Sequence, residues 1–179
     1  MVCLTRFAAA AISTITALTM SAAAVAAPGS ASADTAPAPV LEPVFTATVL
    51  LGESLGVGDT PRGGRSLVRI TGGHFEGPAV RGSVLPGGWD WQLRAAGDCT
   101  MLHADYMLRT DDGAVVNVVN DARLCPDASG KPGPIYSTPV FEAPLGRNAW
   151  LNGGAYVARI DVSPDKAKPA VIIAVYRAR

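Results

Sequence analysis

The sequence is poor in the residues from which most catalytic and nucleic-acid-binding sites are built. It has two histidines, His74 and His103, and three cysteines. Two histidines without an HExxH pattern or a Cys/His cluster give no set of ligands for a metal, and no cofactor is expected. A basic surplus is also missing, since 15 Lys and Arg stand against 15 Asp and Glu. A chain without that surplus has no footprint for neutralising phosphates, which excludes nucleic acid as an expected partner. Beyond the N-terminal segment almost nothing has helical period, and no internal repeat is visible. No Lys/Arg cluster follows the one long apolar run, which argues against a retained membrane anchor.

That run is residues 7–27, an uncharged stretch rich in Ala, Ile, Leu and Thr behind Arg6. Its length suits a bilayer crossing. It is Ala-rich, however, and Ala31, Ser32 and Ala33 follow before Asp34, the small-x-small pattern of a signal-peptidase site. Residues 1–33 therefore read as a signal peptide cut after Ala33, with Ala26/Ala27 as the alternative bond. No Cys follows the run and no twin Arg precedes it, so neither a lipid anchor nor the folded-export route is indicated. The expected product is secreted and extracellular, with no membrane anchor after cleavage. Residues 34–40, rich in Pro and Ala, read as a flexible leader, and 41–179 as one domain. The 146 residues after the cut hold one real core but not two, and carry 14 basic against 15 acidic residues.

Gly and Pro punctuate this domain every eight to fourteen residues. Between them lie β-rich runs at 44–51, 66–70, 79–85, 89–94, 100–110, 114–120, 135–141, 155–162 and 170–177. Short strands at that spacing predict an all-β antiparallel sandwich or barrel. Segments 52–64 and 124–134 read as rim loops.

One hairpin can be derived in full. Between Thr110 and Ala114, Asp111-Asp112-Gly113 forms a three-residue loop, a type I turn closed by a left-handed glycine. Opposed residues then have numbers summing to 224, and Cys99 and Cys125 satisfy the same sum. With Cys3 lost in the leader, an even pair remains in an oxidising compartment, which favours a disulfide over two buried thiols. The register puts Leu102, Ala104, Tyr106 and Leu108 with Val116 and Val118 on an apolar face. Met101, His103, Asp105 and Met107 lie opposite, beside Val115, Asn117 and Val119, on a face that is either solvated or lines a polar lumen.

The Gly52-to-Gly56 segment (GESLG) matches the G-x-S-x-G nucleophile elbow but lacks the following helix that gives the elbow its geometry, so Ser54 is not assigned as a nucleophile. Asp111 and Asp112 are accounted for by the turn. Trp89, Trp91 and Trp150 with Tyr106, Tyr136 and Tyr156 read first as packing, and second as an aromatic pocket lining.

Residues 72–91 (GGHFEGPAVRGSVLPGGWDW), the run from Asp105 to Gly113, Tyr136 to Glu142, and Trp150-Leu151-Asn152 together resemble the family called domain of unknown function 3237. The resemblance covers about 41–176. It implies a single closed or nearly closed antiparallel β-barrel of about eight strands, and it supplies no activity. Family-typical polar positions correspond to Asp90, Asp105, Glu142 and Asn152. The chain departs from the pattern at Ser137, where an arginine is usual, and at Asn148, where an aromatic is usual.

Three functions are consistent with this reading. The first is binding of a small, partly apolar molecule inside the barrel, with Asp90, Asp105, Asn117, Glu142 and Asn152 as ligand contacts. The second is a cofactor-free enzyme acting on a carbonyl or phenolic metabolite, with Asp90, Asp105 and His103 as acid–base candidates. The third is a structural surface protein without a pocket. The binding reading places both Asp90 and Asp105 inside the barrel: Asp105 because its neighbours are apolar, and Asp90 because it faces away from Trp89 and Trp91. The sequence sets no oligomeric state.

Overall fold

The computed structural model describes residues 37–179. The segment expected to be a signal peptide, with its expected cleavage site, lies outside these residues. Nine strands follow in order: β1 (Leu41–Thr60), β2 (Gly63–Glu76), β3 (Arg81–Val84), β4 (Trp89–Arg94), β5 (Thr100–Thr110), β6 (Val115–Leu124), β7 (Ile135–Glu142), β8 (Tyr156–Val162) and β9 (Ala170–Ala178). Every pairing is antiparallel.

The sheet runs β1-β9-β8-β7-β6-β5-β3-β2 and returns to β1, so it closes on itself. The ring has eight lanes because β3 and β4 share one. β3 pairs with Gly73–Glu76 of β2 and Leu108–Thr110 of β5. β4 pairs with Gly64–Arg69 and Thr100–Asp105 of the same two strands. Closure leaves no long unpaired edge around the middle of the barrel. The seam is between the chain's ends, where Leu41 pairs with Ala178 and Leu50 with Ala170.

The β5–β6 hairpin has the register derived from the turn and the cysteines. Thr100 opposes Leu124 and Arg109 opposes Val115. Thr110 N–H donates to Ala114 O (2.9 Å), Gly113 takes φ +89°, and Cys99 and Cys125 form a disulfide at the open end. The two aspartates act as the turn requires. Asp112 accepts from the Thr110 hydroxyl and from buried Asn148, which hold its carboxyl below the ordinary carboxylate value, and Asp111 faces Arg81.

Segment 52–64 is not a rim loop. β1 and β2 continue through it to a turn at Thr60–Gly63, with register shifts between Leu51 and Ser54 and between Gly56 and Gly58. The glycines that made it look irregular are what permit these bulges. Ser54 lies within β1, exposed and opposite Val68, so the G-x-S-x-G match has no elbow beneath it. In the family-like block, Gly73 carries φ +136°, and an added Cβ would come within 2.0 Å of the Thr48 carbonyl oxygen. Only glycine lets β1 and β2 approach so closely there.

The interior is filled at one end. Phe75, Phe45, Phe141 and Tyr156 form a chain of tilted and edge-on rings with centroids 5.2, 5.9 and 4.8 Å apart. Val49, Ile70, Leu108, Val116, Val118 and Ala158 pack around them, each at most 2% exposed.

Candidate functional site

The inward side chains change character along the barrel. In the aromatic half, the row Tyr106–Val118–Phe141 is wholly apolar apart from the tyrosine hydroxyl. One step towards the other end, Val68, Asp90, Ala104, Asn120 and Pro139 oppose one another across five strands. The next row is Ser66, Gln92, Leu102, Ala122, Ser137 and Ala158. At the rim come Gly64, Arg94 and Thr100. A filled apolar half thus gives way to a polar mouth.

A pocket of about 370 Å³ opens at this mouth, lined by Asp59, Ser66, Gln92, Arg94 and Thr100 together with Gly56 and Gly64. Gln92 connects it to the row beneath, donating from Nε2 to Asp90 Oδ2 at 2.8 Å. Asp90 Oδ1 is buried and has no hydrogen-bond partner among the described residues. The same holds for Asn120 Oδ1 and Ser137 Oγ, which are only 4% and 2% exposed. Asp90 and Asn120 are two strands apart, roughly 10 Å at ordinary strand spacing. Buried polar atoms are normally satisfied, so two acceptor oxygens and a hydroxyl without partners on adjacent inner rows are exceptional. Burial raises the Asp90 carboxyl above its ordinary value, opposed in part by the Gln92 hydrogen bond and by the neighbouring His103 backbone N–H and imidazole.

Only one of the sequence-derived contacts faces this site. Asp90 points inward, as its place between two tryptophans implies. Asp105 does not: it pairs with Trp89 and Val119 on the outer face and is exposed, so its expected place in the lumen is corrected. The Met and Val side chains around it suggested burial, yet Met107 and Val115 are 43% and 42% exposed. They suit a pleated outer surface rather than a core. Asn117 and Glu142 are cross-strand partners on that same outer face, beside a shallow pocket with Met107 and Val115. Asn152 is occupied structurally, its amide both accepting from Ala143 N (2.6 Å) and donating to Ala143 O (2.9 Å). His103 is also outside, with Nδ1 2.6 Å from Asp121 Oδ1. Of the three acid–base candidates, Asp90 alone reaches the interior.

Gln92, Asn120 and Ser137 were missed from sequence. Asn120 was legible: the 224 register places it opposite Ala104, a polar residue on an otherwise apolar face. Ser137 stands where an arginine is usual among similar sequences, a departure that pointed to the position without showing its direction.

The carboxylate's position predicts a pH effect. A folded-state value raised above the unfolded one means the folded protein binds the proton more tightly. Stability from this group is therefore complete at low pH and is lost as pH rises through the raised value. Asp90→Asn should be more stable than wild type in urea unfolding at about pH 7, with the gap closing towards about pH 3. A variant less stable than wild type at neutral pH would contradict an unsatisfied carboxylate.

A closed antiparallel barrel with a filled aromatic half and a polar mouth defines the class of protein. The chain belongs to the family described as protein of unknown function (DUF3237), which it matches over residues 39–178. A UPF0311 protein of Rhodopseudomonas palustris is 40% identical over 77 residues, 43% of this chain and 50% of that one. The chain thus spans about half the length of the curated R. palustris relative. A UPF0311 protein of Clostridium acetobutylicum is 34% identical over 130 residues, 65% of this chain and 82% of that one. Among solved structures, a β-barrel-like protein from Acinetobacter baumannii superposes with a TM-score of 0.72 at 27% identity, over 82% of this chain and 99% of that one. A conserved protein of unknown function from R. palustris gives 0.71 at 28%, over 80% and 100%.

Proposed function

We propose that this is a secreted binding protein that takes a small, partly apolar molecule at the polar mouth of the barrel. The supporting observation is the group of buried polar atoms without partners on the inner rows, Asp90 Oδ1, Asn120 Oδ1 and the Ser137 hydroxyl, while a fourth such atom, Asn117 Oδ1, belongs to the outer face. Acceptors call for a ligand that donates, through hydroxyl or amine groups. The aliphatic side chains of Val68, Leu102 and Ala104 on the same rows suit an apolar body. The mouth pocket falls at the small end of the roughly 300–1,000 Å³ range of ligand sites, which suits a metabolite rather than a peptide.

Native mass spectrometry of protein purified from its own secreting cell tests this. A bound mass retained by wild type and lost from Asp90→Asn, with the melting transition kept, is the expected result. If Asp90→Asn and Asn120→Ala both keep the wild-type complement of bound mass, the proposal fails. Water in those positions would also satisfy the acceptors, and a wild-type protein free of adducts under native conditions would point to it.

Secretion rests on the leader and on the Cys99–Cys125 disulfide, a bond of oxidising compartments. Edman sequencing of protein from culture supernatant should begin at Asp34. Recovery of the chain in the membrane fraction with Met1 intact would refute it.

A further inference from the structure

A second cavity lies beside the mouth pocket and shares Arg65 with it. It is a groove of about 800 Å³ running across the outer faces of β4, β5, β6 and β7. Its lining combines two outward rows, Trp91–His103–Asp121–Thr138 and Leu93–Met101–Arg123, with Leu102, Ala122 and Ser137 of the row between them. Arg62 and Arg65, from the β1–β2 turn and the start of β2, close one end, and Tyr136 stands on β7.

Two features give this groove a chemical preference. One is exposed aromatic surface: Trp91 is 41% and Tyr136 57% exposed, although both are rings that normally seek cover. The other is positive charge without a partner. Several arginines elsewhere are engaged, Arg159 with Asp161, Arg179 with Glu42, and Arg69 over the Trp89 ring, whereas Arg94 and Arg109, among the described residues, also make no ion pair. Among the described residues, Arg62 and Arg65 make no ion pair, and Arg123 donates only to the Met101 sulfur at 3.2 Å, a weak acceptor. The one acid lining the groove, Asp121, is already held by His103 at 2.6 Å. Three guanidinium groups therefore border an aromatic-walled groove with no carboxylate free to neutralise them. The volume falls within the range of small-molecule sites.

We infer that this groove is a second ligand site, taking an aromatic carboxylate or sulfonate whose ring lies against Trp91 and Tyr136 and whose acid group is held by Arg65 and Arg123. The guanidinium fork matches a carboxylate in a two-bond geometry and can also stack on an aromatic ring, so both features serve one ligand. The mouth pocket is also bordered by Arg65 and Arg94, and differs in the buried Asp90 and Asn120 oxygens beneath it.

Calorimetric titration of the purified secreted protein with 2-naphthoate tests the inference, with 2-naphthalenemethanol as neutral aromatic and inorganic phosphate as non-aromatic anion. The expected result is saturable binding of naphthoate, weakened by added salt, with both controls binding at least about tenfold more weakly. The double variant Arg65→Gln/Arg123→Gln should lower naphthoate affinity by about tenfold or more, and Trp91→Ala should lower it too. Arg109→Gln, at an exposed arginine of β5 outside the groove, should leave it unchanged. All four substituted positions are checked for an intact melting transition. Equal binding of the neutral alcohol, indifference of the double arginine variant, loss of binding in Arg109→Gln, or no saturable heat up to about 5 mM each overturns the inference.

Discussion

Phe141→Ala should lower the unfolding free energy by about 3–5 kcal/mol, the cost of removing a large buried aromatic and leaving a cavity. Phe141 is 5% exposed and stands between Phe45 and Tyr156, with centroids 5.9 and 4.8 Å away, so its loss cuts the ring chain in the middle. Neither neighbour can collapse into the gap easily, because each is fixed on its own strand of a closed ring. For a domain of this size the melting temperature should fall by roughly 10–20 °C. Phe141→Leu, which retains most of the volume, should cost less than half as much. Denaturant unfolding of the three proteins decides. A loss under about 1 kcal/mol for the alanine variant would show that the aromatic half is loosely packed, and with it the contrast between a solid half and a polar mouth would fail.

Removing the disulfide should be nearly as damaging. Cys99 and Cys125 are separated by 26 residues, and freeing a loop of that length from the unfolded chain restores entropy worth roughly 3–4 kcal/mol. Cys99→Ser/Cys125→Ser, and wild type in excess dithiothreitol, should show the same loss in urea unfolding. Non-reducing peptide mapping should recover the linked pair. Two alkylatable thiols in unfolded, unreduced protein would contradict the bond, and a loss confined to one of the two treatments would contradict the entropic account. The bond sits just beyond the Thr100–Leu124 pair, at the end of the hairpin where the polar mouth lies. It closes the rim on that side, where the apolar packing has run out.

The parts of this fold that were legible in the sequence are those where two local signals agree. The β5–β6 register was encoded twice, by the Asp-Asp-Gly turn and by the cysteine spacing. The nine strands followed from Gly and Pro punctuation, and β4 and β5 had the expected bounds. Asp90 was oriented by simple alternation between two tryptophans. Asp105 was misplaced because its direction depends on which face of the hairpin meets the rest of the ring. That choice is made by β2, β7 and β9, distant in sequence. Both faces carry Val and other apolar side chains, and the larger Tyr106 and Leu108, with the aromatic chain beyond them, decide it. The 52–64 segment was read as a loop because glycine density signals turns; a bulged strand uses the same residues for a different purpose. The outer groove was not legible at all. It draws on six strands and a turn, and its residues acquire meaning only as neighbours across the sheet.

The pairing of β1 with β9 constrains how the chain can fold. Phe45 from β1 and Tyr156 from β8 belong to one ring chain, and the wall around them is complete only when Ala178 reaches Leu41. A chain emerging from a ribosome or an export channel therefore has no enclosed inside to fill until its last strand is free. The hairpins can form early, each from near neighbours in sequence, but the final step joins segments more than a hundred residues apart. Folding should then be slow, on the millisecond-to-second scale typical of non-local β topologies. The half-closed sheet, with its two outermost strands unpaired, is the species most exposed to association with other copies before the seam shuts.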